Sequence, residues 1–459
     1  IEYCYSDEFS DEVLGIKDEN DDWNTKGNIN RIIHVTKREL MIFAKVFDGN
    51  EKWKEARLPL LQDERLLQVL ERFVEQNRTL ESYMSSLGAT EMWHETNAQK
   101  DGTIVRKNEF PEKPIELIYS GPNIWVSNPF YKAIRREYNS NNDYDTIDLE
   151  AIKENYRPRC GYAPKCDIST YIDRAPVYTD GTKGLSHYRI FMRNMFGLSG
   201  ERTLISALVP PDVGHVHAVY EIALNDVRQL VLLQGCMSSI VYDFYIKALG
   251  KGSGGINVIK NFPMFSYELG KEIVVRTLML NCLNVDYKEL WEKCWDFRFK
   301  NDTWAKSDSR LNNNRFYNLE KEWKLENTLR SEYERREALI EIDVLVAKLM
   351  GLTLDELITI YKIQFPNMQT YDKETWFDQN GRIVFSQKSY GNIVLSRNEW
   401  EKIRDEKEGV FYHKFSDDTL PNGPIERSIE YIAPFEKCNR ENDYREIWNA
   451  FELRSIDNK

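Results

Sequence analysis

Tyr188-Arg189-Ile190-Phe191-Met192-Arg193-Asn194, followed by Glu201-Arg202-Thr203-Leu204-Ile205 and then Pro210-Pro211, is the stretch on which the reading of this chain turns. Its apolar and aromatic residues come in short runs broken by polar ones. The same texture begins near Ile104 and recurs in Ile115 to Tyr119 and Ile124 to Val126, where Gly, Pro and Asn punctuate the runs. Such segments fit strands of a small sheet domain. The cationic groups suggest a use for that domain. Arg189 and Arg193 lie four residues apart, and an arginine can fork onto guanine or onto phosphate, while Asn194 can read an adenine edge. Glu201 is expected to orient Arg202 through a charged pair, with Thr203 beside it. The competing reading of the same residues is internal ion pairing.

Working outward, apolar residues at helical spacing in Thr36 to Val46 and Leu60 to Val74 predict helices over 30–87. Beyond Pro211 helices are expected again at Val219 to Leu233 and Ser238 to Leu249. Gly250, Gly252, Gly254 and Gly255 then form a turn-prone loop around Lys251 and Ser253. From Phe265 to about Phe365 the chain reads as mostly helical, with one long element from Leu319 to Met350. Gly351 suits its end, and Thr353 with Glu356 spells a capping box for the next helix. Asn380-Gly381 between apolar runs in Trp376 to Phe385 signals a hairpin. The segment carrying Pro421, Pro424 and Pro434 reads as irregular covering chain. The expected class is therefore α+β, a mixed small-sheet domain flanked by helical regions, without a complete doubly wound domain. Its expected parts are 1–103, acidic and helical; 104–265, the sheet domain; 266–370, a helical brace or docking region; and 371–459, a hairpin with an irregular tail.

A length of 459 residues can bury two or three cores. Its longest apolar runs, such as Leu230 to Leu233 and Ile342 to Leu349, fall far short of a bilayer span. The seven cysteines are an odd, scattered set, which points to a reducing cytoplasm rather than a disulfide framework. Cys160 with Cys166, and His215 with His217, lack the further ligands that a zinc site needs. The net charge of -12 argues at first against nucleic acid. Its distribution changes that conclusion: Glu2 to Asp22 holds nine acids against Lys17 alone, whereas residues 121 to 270 sum to about +1. A DNA-binding surface would lie in that middle region, with an acidic back. The chain begins without an initiator methionine, and an upstream part is expected.

Asn128-Pro129-Phe130-Tyr131 is close to the Asn-Pro-Pro-Tyr/Phe tetrapeptide with which adenine-specific methyltransferases hold a flipped base. Two features oppose catalysis here. Residues 1 to 127 show no glycine-bearing cofactor turn after a first strand, and Lys132, Arg135 and Arg136 follow directly where a neutral base would have to be cradled. The tetrapeptide is read instead as a turn that starts a basic segment. No phosphate loop, zinc-protease helix or nucleophile elbow is present in the sequence. Glu320, Lys321, Glu322 and Lys324 have a nuclease-like spacing but read as a solvated helix face.

The arginine-rich stretch, with the helix-forming Leu232 to Phe244, the loop Lys251-Gly252-Ser253-Gly254-Gly255-Ile256-Asn257 and Phe262-Pro263-Met264, resembles the target-recognition region of adenine-specific type II DNA methyltransferases, including the fused type IIG restriction-modification enzymes. Gly121 to Tyr131, Tyr144 to Leu149, Ala338 to Phe365 and Ile432 to Trp448 also resemble the defence-associated branch of that family. Ile246 stands where related proteins often carry Arg, before the position of Lys247. The resemblance implies double-stranded DNA as partner and an upstream methyltransferase domain holding S-adenosylmethionine, with protein partners in a defence system. It implies DNA contacts at Lys132, Arg135, Arg136, Arg189, Arg193, Asn194, Arg202, Lys251, Asn257 and Lys260, and no catalytic, cofactor or metal residues in this chain. Two other readings stay open: an acidic helical scaffold or protein-interaction subunit, and a complete methyltransferase using Asn128 to Tyr131.

Overall fold

The computed structural model describes residues 29–138, 140, 143–388 and 390–457; the acidic segment from Glu2 to Asp22 and Cys4 lie outside the described residues. Two helices open the described chain, α1 (Lys37–Phe43) and α2 (Leu66–Val74). Thr36 caps α1 in a full capping box with Glu39, and α2 buries Leu66, Leu67, Val69, Leu70 and Phe73 on one face. Strands and short helices follow: β1 (Leu87–Thr90), α3 (Glu95–Lys100), β2 (Ile104–Arg106), β3 (Ile118–Tyr119), β4 (Lys132–Ile134), β5 (Tyr144–Thr146), β6 (Tyr162–Pro164) and α4 (Ile168–Arg174). The central stretch forms β7 (Arg189–Arg193), β8 (Ser206–Val209), β9 (Gly214–His215) and β10 (Val219–Leu224).

Two four-stranded sheets hold this region together. The first has the order β1-β10-β7-β8 and is antiparallel throughout; the second has the order β2-β6-β3-β9. Every residue of β8 and β10 is buried. That burial explains a correction to the sequence reading. Val219 to Leu224 is a strand, not the start of a helix, because a strand covered on both faces carries no alternation and resembles a buried helical run. The helix starts only after Asp226, whose carboxylate accepts from Arg228 N at 2.9 Å.

Of the helices that follow, α5 (Val227–Ser238) and α8 (Lys271–Asn281) pack on this sheet, with α6 (Ile240–Leu249) and α7 (Ile256–Ile259) between them in the chain and α9 (Lys288–Cys294) packed on α5. Next come α10 (Glu332–Leu349), α11 (Leu354–Gln364) and α12 (Pro366–Lys373). The expected long helix from Leu319 therefore begins only at Glu332. Upstream of it the backbone finds partners elsewhere: Leu329 N donates to Met279 O at 2.8 Å and the Trp323 indole to Cys282 O at 2.8 Å. Glu320 and Lys324 form an exposed ion pair on this irregular stretch rather than on a helix face. The capping box at Thr353 and Glu356 is present, and Gly351 has a positive φ of 75° just past α10.

The chain ends with β11 (Trp376–Phe377), β12 (Ile383–Phe385), α13 (Arg397–Ile403), β13 (Val410–Asp417), β14 (Ile425–Ile432), β15 (Glu436–Lys437) and α14 (Arg440–Asp457). The hairpin signalled by Asn380-Gly381 joins β11 to β12, with Gly381 at φ 82° and the Asp378 carboxylate accepting from Asn380 N and Arg382 N. The tail differs from expectation. Val410 to Asp417 pairs with Ile425 to Ile432 over eight positions, and Pro421 and Pro424 sit in the connection rather than breaking strands. In β13, His413, Phe415 and Asp417 face inward with period two. A satellite core of Phe385, Trp400, Phe415, Tyr431 and Phe435 closes this end, while the main core runs from Ile42 to Phe451 across all the expected divisions. The architecture is a mixed α+β fold of several small sheets flanked by helices. No helix among the described residues is long and apolar enough to cross a membrane.

Candidate nucleic-acid interface

Side chains alternate along β7. Ile190 and Met192 enter the main core and Phe191 a second one on the opposite face, so Arg189 and Arg193 share the side of Phe191. There Arg189 is wholly buried. It meets Glu221 of β10 at 2.6 Å and donates to His187 O, Pro210 O and Val213 O. Burial works against the Glu221 charge, but Arg189 and the hydrogen bonds from His215 and the Tyr178 hydroxyl outweigh it and hold the carboxyl at about 2. The expected DNA contact at Arg189 is thus corrected: its guanidinium is enclosed and its donors are used inside the sheet.

Arg193 is partly buried. It donates to Gly121 O at 2.8 Å and Ile124 O at 2.7 Å, and lies over the Trp125 ring. Desolvation lowers its pKa to about 10. Its role here is to bind the 121–131 turn to the sheet. Asn128 Oδ1, the acceptor a base amine would need, takes the Phe130 N–H at 2.9 Å, and Tyr131 stacks on Trp125. This is a turn leading into β4, in agreement with the sequence reading.

The Glu-Arg-Thr block is organised by a residue the sequence analysis did not select. Asp243 of α6 accepts from Arg202 Nε at 2.6 Å, from Thr203 N at 3.1 Å and from Leu204 N at 3.0 Å. Arg202 also reaches Ser238 O. Glu201, expected to orient Arg202, instead pairs with Lys388 at 2.8 Å. Arg202 and Thr203 are therefore internal as well, a second correction to the expected contacts. An acid inside the apolar helical run 240–246 was the available signal for Asp243; nothing in spacing joins it to a segment forty residues earlier. Lys247 is buried too, its ammonium on Leu198 O and Gly200 O.

What the fold brings together is the end of β7 and the glycine loop. Gly254 N donates to Asn194 O at 2.6 Å and Phe196 N to Gly252 O at 2.9 Å, a short antiparallel ribbon in which Met195 opposes Ser253. A Cβ on Gly254 would lie 2.9 Å from Met192 Cε and 3.0 Å from Phe196 Cζ, so a larger residue there has to displace the ends of both side chains. Asn194 is buried, its amide on Glu91 and His217 O. Lys251 reaches the surface of the same loop and Asn257 that of α7, and Lys260 pairs with Glu81 at 3.0 Å. Elsewhere, the end of β4 presents Arg135, paired with Asp145 at 3.0 Å, and Arg136, paired with Asp418 at 2.5 Å; their side chains remain 51% and 43% exposed. Lys132 is half-buried over the Tyr131 ring, its pKa lowered by desolvation and then by Arg193 and Lys388.

The two histidines do not converge: His215 is buried against Glu221, and His217 pairs with Glu91 at 2.6 Å. No group of three or more His, Cys, Asp or Glu side chains suited to a metal occurs among the described residues. Among the described residues, the only parallel ladder between named strands is the two-residue pairing of β3 with β9. Scanned against protein-family models the chain matches none, and no curated protein matches it.

Proposed function

We propose that this chain recognises double-stranded DNA in the cytoplasm as the target-recognition part of an adenine-specific methyltransferase or restriction-modification system. In that reading an upstream domain carries S-adenosylmethionine and the methyl-transfer chemistry. The observation that carries it is the ribbon joining Asn194–Phe196 to Gly252–Gly254, which sets two segments that read as recognition loops side by side at one end of a rigid sheet. Exposed Arg135 and Arg136 add a second cationic element. Their present carboxylate partners are surface pairs of small worth, readily exchanged for phosphate. Arg189 and Arg202 act indirectly, by holding the strands and loop that present these groups.

The test is selection of a bound duplex from a randomised pool, followed by a binding titration across a salt series. Saturable binding that weakens linearly in logarithmic salt supports the reading. Absence of any enriched duplex, with no saturable binding at low salt, would overturn it in favour of a protein-binding scaffold. That second reading draws on one observation of its own: an open groove lined by Leu269, Phe299, Leu345 and Phe451, with exposed Leu269 at its edge.

A further inference from the structure

Met195 is the most exposed large apolar side chain among the described residues, at 79%, although Asn194 and Phe196 on either side of it are buried. Both neighbours are held by backbone bonds to the glycine loop, and the Asn194 amide is fixed again by Glu91 and His217 O. The thioether therefore projects from a rigid support. Around it the chain is bare. Gly197 and Gly252 are exposed, neither has a positive φ, and a Cβ on either would meet nothing within 4 Å. The fold does not require glycine at these two positions. What the missing side chains supply is close access for another molecule.

We infer that Met195 is a wedge that inserts between adjacent base pairs of duplex DNA, unstacking one step while the bare glycine backbone approaches the groove. This rests on the DNA-binding reading above and adds to it a named contact and a deformation. Single apolar side chains, Met among them, are used in this way by proteins that kink DNA. A protein-docking anchor would be expected in a patch of several large apolar side chains. Met195 instead lies opposite exposed Ser253, with exposed Gly197 and Gly252 next to this bridge in the chain. The flexible, polarisable thioether suits contact with the faces of bases.

The experiment uses the duplex selected above, with 2-aminopurine placed in turn at each position. Binding of the wild-type chain is expected to raise fluorescence severalfold at one step. Met195→Ala should abolish that rise and weaken binding about tenfold without altering the salt slope, while Met195→Leu retains both. Gly252→Gln, whose Cβ would meet nothing within 4 Å, should block approach and lose the signal with its circular dichroism unchanged. Tight binding with no fluorescence change at any position, or an unchanged rise in Met195→Ala, overturns the wedge and leaves DNA recognition standing. Failure to select any duplex overturns both. Loss of a protein complex in Met195→Ala, with DNA binding intact, assigns the residue to a protein surface and overturns the wedge.

Discussion

Arg189 and Glu221 face each other at 2.6 Å between neighbouring strands of the central sheet, and neither side chain is exposed to solvent. Removing one partner of such a pair leaves an uncompensated buried charge, which costs about 3–5 kcal/mol. Arg189→Ala is therefore expected to lower stability by that amount in urea unfolding. The double variant Arg189→Met with Glu221→Gln should recover much of the loss. The same pair predicts acid sensitivity. Because the folded carboxyl sits at about 2, below its ordinary 4.5, its contribution is complete above the ordinary value and is lost as pH falls from there toward about 2. The variant lacking both charges should lose less stability across that window.

Arg135 and Arg136 provide the contrast. Exposed and paired only at the surface, they can be replaced together by alanine with a change in stability of roughly 0.5 kcal/mol or less. In the DNA titration the double variant should bind about tenfold more weakly, with a shallower salt slope, because phosphate contacts have been removed. An unchanged slope would remove this strand end from the interface.

Glu337 of α10 is fully buried, and neither carboxyl oxygen has a hydrogen-bond partner among the described residues. Burial, reinforced by Glu341 and Asp443, pushes its carboxyl up to about 8. The sign is opposite to that of Glu221. The unfolded chain ionises first as pH rises past 4.5, so this group removes stability progressively up to about 8. The slope is at most about 1.4 kcal/mol per pH unit. Glu337→Gln should therefore become more stabilising relative to wild type between pH 5 and pH 8, as read by thermal unfolding at each pH.

Gly235 of α5 packs directly against α8. A Cβ there would lie 2.3 Å from Ile273 Cγ2 and 2.5 Å from Thr277 Oγ1. Gly235→Ala gains helix propensity, but the overpacking should dominate and lower stability by about 1–3 kcal/mol in denaturant unfolding. A stabilised variant would show that the two helices can separate without loss.

Local signals were readable directly from the chain: the hairpin at Asn380-Gly381, the capping box at Thr353 and Glu356, strand character at Tyr188 to Phe191, where β7 begins, and the turn at Asn128. Each depends on residues a few positions apart, whose side chains and backbone interact whatever the rest of the chain does. Strand β10 was misread because double-sided burial erases the alternation that identifies a strand, and the helix expected from Leu319 started late because distant backbone partners replaced its own bonds. The candidate site divided in the same way. The turn beside Lys132 was visible in the sequence, whereas the backbone bonds that set Asn194 and Phe196 beside Gly252 and Gly254 join segments nearly sixty residues apart and were not. Which arginine faces water was decided only by tertiary structure. Arg189 is enclosed because Glu221 arrives on the adjacent strand, and Arg202 because Asp243 arrives on α6. A guanidinium is equally able to bind phosphate or a buried carboxylate, and the choice depends on which acid the fold brings within reach.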